Sequence, residues 1–564
     1  MSPTSGTVPT AAARSPARTV RCGLAALLAA ILSLLQAWPA AGEPSSVRAA
    51  LGWDGWVRFG TWNPLTVEAE VDRPVRGWLV VDIPQEFGAQ RVRLRYSLDL
   101  PEGGRAIWRV PVLVVDARRP VRVAVEAEDG AEVASAEVLP QAESAVASVV
   151  GYLGQNPPSP PPEASSGGRR AVARLREEVL PETAAAYASL DLLVVEDLDE
   201  RRLNDAQRHA LQAWVLHGGR VVTSGWLAAG APLSGWLSAA QHTGRVVELS
   251  SGLGSVAAGP LRELHPLPGG RPVVERSYVV AVWAPRGLGR VYAWAADPQQ
   301  VPAGSPLWYL ALPPTTSREG PPEPDVRPRA PVGPAAVGLG AFTVLWLVSL
   351  AVAARDPWGW LLALVVLAAG AAGMPTVAQE VRERSTALDV TWVEVLVEGA
   401  RRAYAWGYAQ APYRGVYTYT LPRAVAVAAS GGFSEAEVSF LDDRVVVRAR
   451  QGAGERLRLY WEVEGAAGAV PAVQPRNGSV VFRGTGASQG VVFWGRRQAP
   501  LEKSQEPDEW VASRWEREDP QHPALVSLGW VYPAAATIVE DRPLVALPLA
   551  DGRRGWLVVV GQLP

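Results

Sequence analysis

The sequence predicts a multidomain α/β plus all-β protein. It reads as an N-terminal β-sandwich, a Rossmann-like α/β domain, a two-helix transmembrane hairpin and a C-terminal β-sandwich-like domain. Three observations carry this. Short β-rich runs bounded by turn residues fill both ends of the chain, strand and helix patterns alternate in the middle, and two long uncharged runs lie between 335 and 374. The 564 residues suffice for several buried cores, and the near balance of 54 basic against 56 acidic residues argues against a broad cationic surface for nucleic acid.

Residues 1–42 read as a secretory signal. Arg14, Arg18 and Arg21 precede the apolar stretch Leu24–Leu35, and Ala40-Ala41-Gly42 offers small residues for cleavage before Glu43. The one cysteine, Cys22, falls inside this segment, so the exported chain is expected to lack disulfides, thiolate metal sites and a cysteine nucleophile. Lys503 is the only lysine, which also leaves Schiff-base chemistry poorly supplied.

Residues 43–140 are expected to form an immunoglobulin-like sandwich. The runs 65–71, 77–84, 91–100, 106–115 and 121–128 are separated by turn signals such as Glu102-Gly103-Gly104 and Asp129-Gly130. Residues 141–312 read as α/β. A buried strand within 144–154 leads into the Pro/Gly/Ser loop 155–168, and 169–180 has helical periodicity. A strand follows within 189–198, then a helix over 204–219 capped by Asn204 and ended by Gly218-Gly219. Strands at 219–225 and 289–298 complete the unit. The stretch 313–334, with 8 prolines in 22 residues, reads as a semi-rigid linker.

Ala335–Ala354 is uncharged for 20 residues, the length of one hydrocarbon crossing, and 358–376 is predicted as a second span opening on Trp358 and Trp360. Residues 355–357 form the turn, expected on the cytoplasmic side, with Pro357 suited to start the second helix. With an export signal at the front, both large lobes are expected outside the cytoplasm of a bacterial cell as a multi-pass membrane protein. Residues 379–564 return to β, in runs 386–398, 415–422, 444–450, 456–464, 490–495 and 555–561, with a charged helical insertion expected over 501–518.

The segments LGWDGWVRFGTWNPLTVEAEV (51–71), LPETAAAYASLDLLVVEDLDERRLNDAQRHALQAWVLHGGRVVTSG (180–225) and GLGRVYAWAADP (287–298) resemble a family of uncharacterised bacterial membrane proteins. That resemblance implies an exported β domain, a class I glutamine amidotransferase-like α/β domain and transmembrane helices. Active class I amidotransferases carry a cysteine on a strand-to-helix elbow, activated by a histidine and a carboxylate. The segment resembling the elbow is Val222–Leu227, which has no cysteine, and the chain has no Gly-x-Ser-x-Gly. His242 and His265 lie downstream without a nucleophile to serve. The resemblance therefore implies a catalytically silent domain.

Open α/β sheets bind ligands beyond the carboxyl ends of their strands. Glu196 and Asp197 follow one predicted parallel strand, Ser224 and Asp297 end two others, and these four are the candidate ligand-binding residues, with Asp199 nearby. A solvated, helix-capping loop is the plainer reading of the same carboxylates. No catalytic residue, metal ligand or cofactor is assigned. His209 and His217, eight apart, do not suit a zinc pair at i,i+4, and His522 is isolated. Trp53, Trp56 and Trp62 fit either a buried sandwich anchor, the favoured reading, or a sugar-stacking surface. Asn477-Gly478-Ser479 matches a glycosylation acceptor but carries no weight in a bacterial chain. The leading functional expectation is a membrane-anchored envelope scaffold contacting the lipid bilayer and an envelope protein partner, with no nucleic acid. The alternatives are an envelope hydrolase with a non-cysteine nucleophile near Ser224, Glu196 and Asp197, and a carbohydrate-binding module with a glycan as partner.

Overall fold

The computed structural model describes residues 45–561, apart from 86–89, 117, 141–147, 156, 159–169, 197, 225–231, 248–258, 313–331, 356–359, 362, 371–387, 412–413, 467–470, 477–478, 485–488, 495–496, 507, 518–521, 532–541 and 550–552. The signal segment, most of the proline-rich linker, Asp197 and the elbow residues 225–227 lie outside the described residues. The described residues are mostly β, 55% strand against 17% helix.

The N-terminal strands are β1 (Ser46–Leu51), β2 (Trp62–Glu70), β3 (Val75–Pro84), β4 (Arg91–Leu100), β5 (Arg105–Leu113), β6 (Val121–Ala127) and β7 (Glu132–Val138). The α/β region adds β8 (Ser148–Leu153), β9 (Arg170–Leu175), β10 (Leu192–Val195), β11 (Arg220–Thr223), β12 (Ala240–Val247), β13 (Leu261–Pro266), β14 (Arg271–Glu275), β15 (Tyr278–Arg286) and β16 (Gly289–Trp294). After residue 388 come β17 (Asp389–Val397), β18 (Ala400–Gln410), β19 (Gly415–Pro422), β20 (Ala426–Gly431), β21 (Glu435–Phe440), β22 (Arg444–Gln451) and β23 (Arg456–Ala466).

The two β regions share a sheet. Seven strands run in the order β19-β22-β21-β4-β3-β6-β7, and β4 meets β21 in parallel from Arg91↔Glu435 to Tyr96↔Phe440. Period-2 alternation explains the register. Val92 and Leu94 turn inward beside Ala436 and Val438, while Arg95 reaches Glu437 at 3.4 Å on the other face. Tyr96 and Phe440 stack with ring centres 4.5 Å apart. Beneath this sheet lie the antiparallel strands β1-β2-β5 and part of a nine-stranded sheet containing β20-β23-β18-β17. One core consequently draws Leu65, Val67, Leu79 and Val81 from the first region and Ala436, Val438, Val447 and Trp461 from the second. Burying each large aliphatic here is worth roughly 1.5–3 kcal/mol.

The α/β unit sits between these β regions in sequence. Its sheet runs β14-β15-β16-β11-β10-β8-β9, with β16, β11, β10, β8 and β9 parallel. The short strands β10 (LLVV) and β8 are buried throughout, as strands covered on both faces must be. Helix α1 (Asp205–Leu216) follows β10. It opens on a capping box in which Asn204 Oδ1 accepts from the Gln207 N–H at 2.8 Å and Gln207 Oε1 accepts from the Asn204 N–H at 3.0 Å. One expectation fails here. The segment 169–180 is not a helix but strand β9 followed by a single 3₁₀ turn at Glu177–Val179. Ala171, Ala173 and Leu175 are its buried positions, a period of two that β8 completes as a ladder.

A buried junction joins three parts of the chain. Glu462 on β23 accepts from the Trp62 indole N–H at 2.7 Å, from the Tyr460 hydroxyl at 2.5 Å and from Arg402 Nε at 3.1 Å. Next to it, Glu464 accepts the backbone N–H groups of Ala184 and Ala185 at 3.2 and 2.9 Å. Burial raises the Glu464 carboxyl above the usual carboxylate range, against the pull of Arg402.

The predicted two-helix transmembrane hairpin is not found: among the described residues no helix is long and apolar enough to cross a membrane. The first apolar run forms a helix over Val332–Ala353, of which residues 340–353 have described side chains, about 21 Å at 1.5 Å per residue. The second is helical at 360–361 and 363–370, roughly 16 Å, about half a hydrocarbon thickness. The two helical segments approach closely, since a Cβ on Gly370 would strike the Phe342 ring. The helical insertion expected over 501–518 is also absent from the described residues there, which instead form the short strands Glu502–Lys503, Glu509–Ala512 and Glu516–Arg517.

Candidate functional site

The parallel strands β8, β10, β11 and β16 end side by side, and the residues that follow them line one edge of the sheet. Val195 pairs with Thr223 and Thr223 with Ala293, so Glu196 and Ser224 emerge one step beyond a matched register. The Ser224 N–H donates to the Val195 carbonyl at 3.2 Å. Three of the four candidate ligand residues therefore share this edge, while Asp197 lies outside the described residues.

One polar contact at this edge is one that sequence reasoning missed. Tyr152, near the end of β8, donates its hydroxyl to Glu196. The other Glu196 oxygen lies 3.5 Å from Gln299 Nε2, and Asp297 accepts the Gln299 N–H at 3.0 Å as cap of a 3₁₀ turn. Tyr152, Glu196, Gln299 and Asp297 thus form one cluster. Burial first, then the hydrogen bond to Glu196, raises the Tyr152 phenol well above its ordinary value. Gly154 makes room for the pair, because a Cβ there would fall 2.5 Å from the Glu196 carboxylate and 2.8 Å from the Tyr152 hydroxyl. The spacing Tyr-x-Gly after a buried strand was the available signal, but nothing local links it to a glutamate 44 residues on.

Ser224 has a different setting. It is 3% exposed, and its carbonyl accepts from Arg262 Nη1 at 3.0 Å. His242 lies near Arg262; burial and then that arginine lower its imidazole to about 4, so it is neutral at pH 7. His217 is buried between α1 and the C-terminal sheet, and burial and then Arg402 hold it well below its ordinary value. His209 Nδ1 donates locally, to the Asp205 carbonyl at 2.7 Å. Among the described residues no group of three His, Cys, Asp or Glu side chains is placed to hold a metal ion.

The tryptophans are core anchors. Trp53 and Trp62 are each 2% exposed; Trp53 donates to Ser189 Oγ at 2.9 Å and packs in the α/β core, and Trp56 is partly buried against the same cluster. The Trp53 and Trp62 indoles are thereby closed to a stacking sugar.

Residues 44–141 match a family described as a domain of unknown function (DUF8726). No curated protein matches the chain. Among solved structures, a cold-adapted β-galactosidase from Rahnella sp. R3 is similar at a TM-score of 0.18 and 11% identity, covering 57% of this chain and 41% of that one. At that score the likeness carries no argument about function.

Proposed function

We propose that this chain is an extracytoplasmic scaffold or interaction protein of the bacterial cell envelope, held at the membrane by its apolar helical segment, in which an amidotransferase-like α/β unit serves as a non-catalytic part. The observation that supports it best is the buried junction. Trp62, Glu462, Arg402, Glu464 and the Ala184–Ala185 backbone tie the α/β unit to both β regions. Such a body suits display of fixed surfaces. At the strand ends, Glu196 is already engaged by Tyr152 and Gln299, and Ser224 is buried, an arrangement that favours structure over nucleophilic attack.

Membrane attachment draws on the apolar helices. Val344, Leu345, Trp360, Leu364 and Val365 are 57–66% exposed, an apolar surface of a kind that monomeric soluble proteins rarely leave in water. The chain is expected in the membrane fraction, released by detergent and not by high salt, and to co-purify with a cross-linked envelope partner. Hydrolysis of a panel of amide and ester substrates, abolished by Glu196→Gln or Ser224→Ala, would refute the non-catalytic reading.

A further inference from the structure

A cleft of about 1130 Å³ opens where the N-terminal β region meets the carboxyl ends of β8 and β9. Gly52, Asp54 and Thr66 form one wall; Gly154, Arg174 and Arg176 form the other. This is the edge of an open α/β sheet at which ligands bind. Its volume exceeds the roughly 300–1,000 Å³ typical of small-molecule pockets, which points to an extended occupant.

Charge and backbone both indicate what that occupant is. Arg174 and Arg176 are exposed and, being two residues apart on an extended chain, leave it on the same side about 7 Å apart. Neither guanidinium makes an ion pair or hydrogen bond among the described residues. The nearby carboxylates are otherwise engaged, since Arg202 lies 3.9 Å from Glu177 and 3.7 Å from Asp199. Elsewhere the chain treats the same spacing differently: Arg448 and Arg450 stand directly opposite Glu437 and Glu435 across β21–β22. Moreover, β9 is the outer strand of its sheet. Its Arg174 N–H points off that edge toward Asp54, 3.4 Å away, a contact too long to be strong. Asp54 is held at φ +52°, in the left-handed region that non-glycine residues adopt at a cost.

We infer that this cleft seats an extended acidic peptide segment of a partner protein, which adds along the outer edge of β9 and places carboxylates on Arg174 and Arg176. Edge addition provides main-chain hydrogen bonds, and the arginine pair selects acidic side chains by charge-assisted bonds. A saccharide is disfavoured because the aromatic side chain on the cleft wall, Trp53, is buried. The inference deepens the proposal of an interaction protein by naming the chemistry of one partner.

The test is a fluorescence-anisotropy titration of labelled octaglutamate with the detergent-solubilised full chain, beside octalysine and polygalacturonate. Octaglutamate is expected to bind, more weakly as salt rises, and octalysine is not. The double variant Arg174→Glu/Arg176→Glu is expected to lose affinity about tenfold or more, while Arg448→Glu/Arg450→Glu keeps it. Asp54→Asn, which removes a competing carboxylate, is expected to bind more tightly. Absence of octaglutamate binding, equal loss in both double variants, or equal affinity for polygalacturonate would each overturn the assignment. Thermal melts check the fold of each variant, and Arg176→Glu alone replaces the double variant if that one does not fold. Because purified chain and a defined peptide are used, this titration can fail while the scaffold proposal stands. Equally, substrate turnover can refute the scaffold proposal while the peptide still binds.

Discussion

Arg402 and Glu462 show how much a single buried pair decides in this molecule. Their side chains are 6% and 1% exposed, and Glu462 also serves Trp62 and Tyr460. Removing Glu462 leaves the buried Arg402 with the more distant Glu464 carboxylate, 3.9 Å away, to offset its charge. Glu462→Ala is therefore expected to lower unfolding stability by about 3–5 kcal/mol in urea titrations. Adding Arg402→Met should restore part of the loss; no recovery in the double variant would mean that the indole and phenol contacts dominate. His217 gives a pH signature. Its folded-state value lies below its ordinary 6.5, so the unfolded chain binds the extra proton first. The stability it contributes is present above about pH 6.5 and is lost as pH falls toward the folded value. His242, lowered to about 4, acts in the same direction. Melting temperature is expected to drop from pH 7 to pH 5, and less so in His217→Gln/His242→Gln; parallel profiles would assign the drop to other groups.

For single elements, local chemistry accounts for some features and not others. Helix α1 was legible in advance because its cap, its apolar face and its Gly218-Gly219 stop all lie within the segment itself. Asn204→Ala is expected to cost about 1 kcal/mol, read as a fall in melting temperature, while Asn204→Ser should be nearly neutral. A cost near zero would show that the Gln207 side chain, which also donates to the Leu180 carbonyl at 2.8 Å, holds the helix start alone. Strand β9 was illegible for the converse reason. Its sequence RAVARL satisfies a helical pattern, and only the neighbouring β8 ladder selects the extended form. The Tyr152–Glu196–Gln299 contact escaped similarly, since its members lie on separate strand ends.

At the scale of the whole molecule, the parallel pairing of β4 with β21 makes the two β regions mutually dependent. Residues 43–140 expressed alone would leave open the β4 edge that pairs with β21 and would lose the side of the shared core supplied by Ala436, Val438, Val447 and Trp461. That fragment is expected to lack a cooperative melt, and to regain one when co-expressed with residues 386–564. A cooperative transition in the isolated fragment would show that the shared sheet is not needed for its stability.

The sequence alone determined the β-rich runs at 65–71, 77–84, 91–100 and 121–128, the capped helix, and the set of strand ends at which Glu196, Ser224 and Asp297 emerge, because alternation, capping and turn chemistry act over a few residues. Tertiary structure decided what those parts join. It merged the terminal β regions into one core, turned 170–175 into an edge strand, buried Trp53 and Trp62, and left Arg174 and Arg176 facing a cleft without acidic partners among the described residues. It also left the apolar run at 335–374 without a described helix long enough to cross a membrane. The physical reason is separation along the chain. Sheet pairing and burial are settled by partners up to hundreds of residues away, and such partners leave no mark on local periodicity.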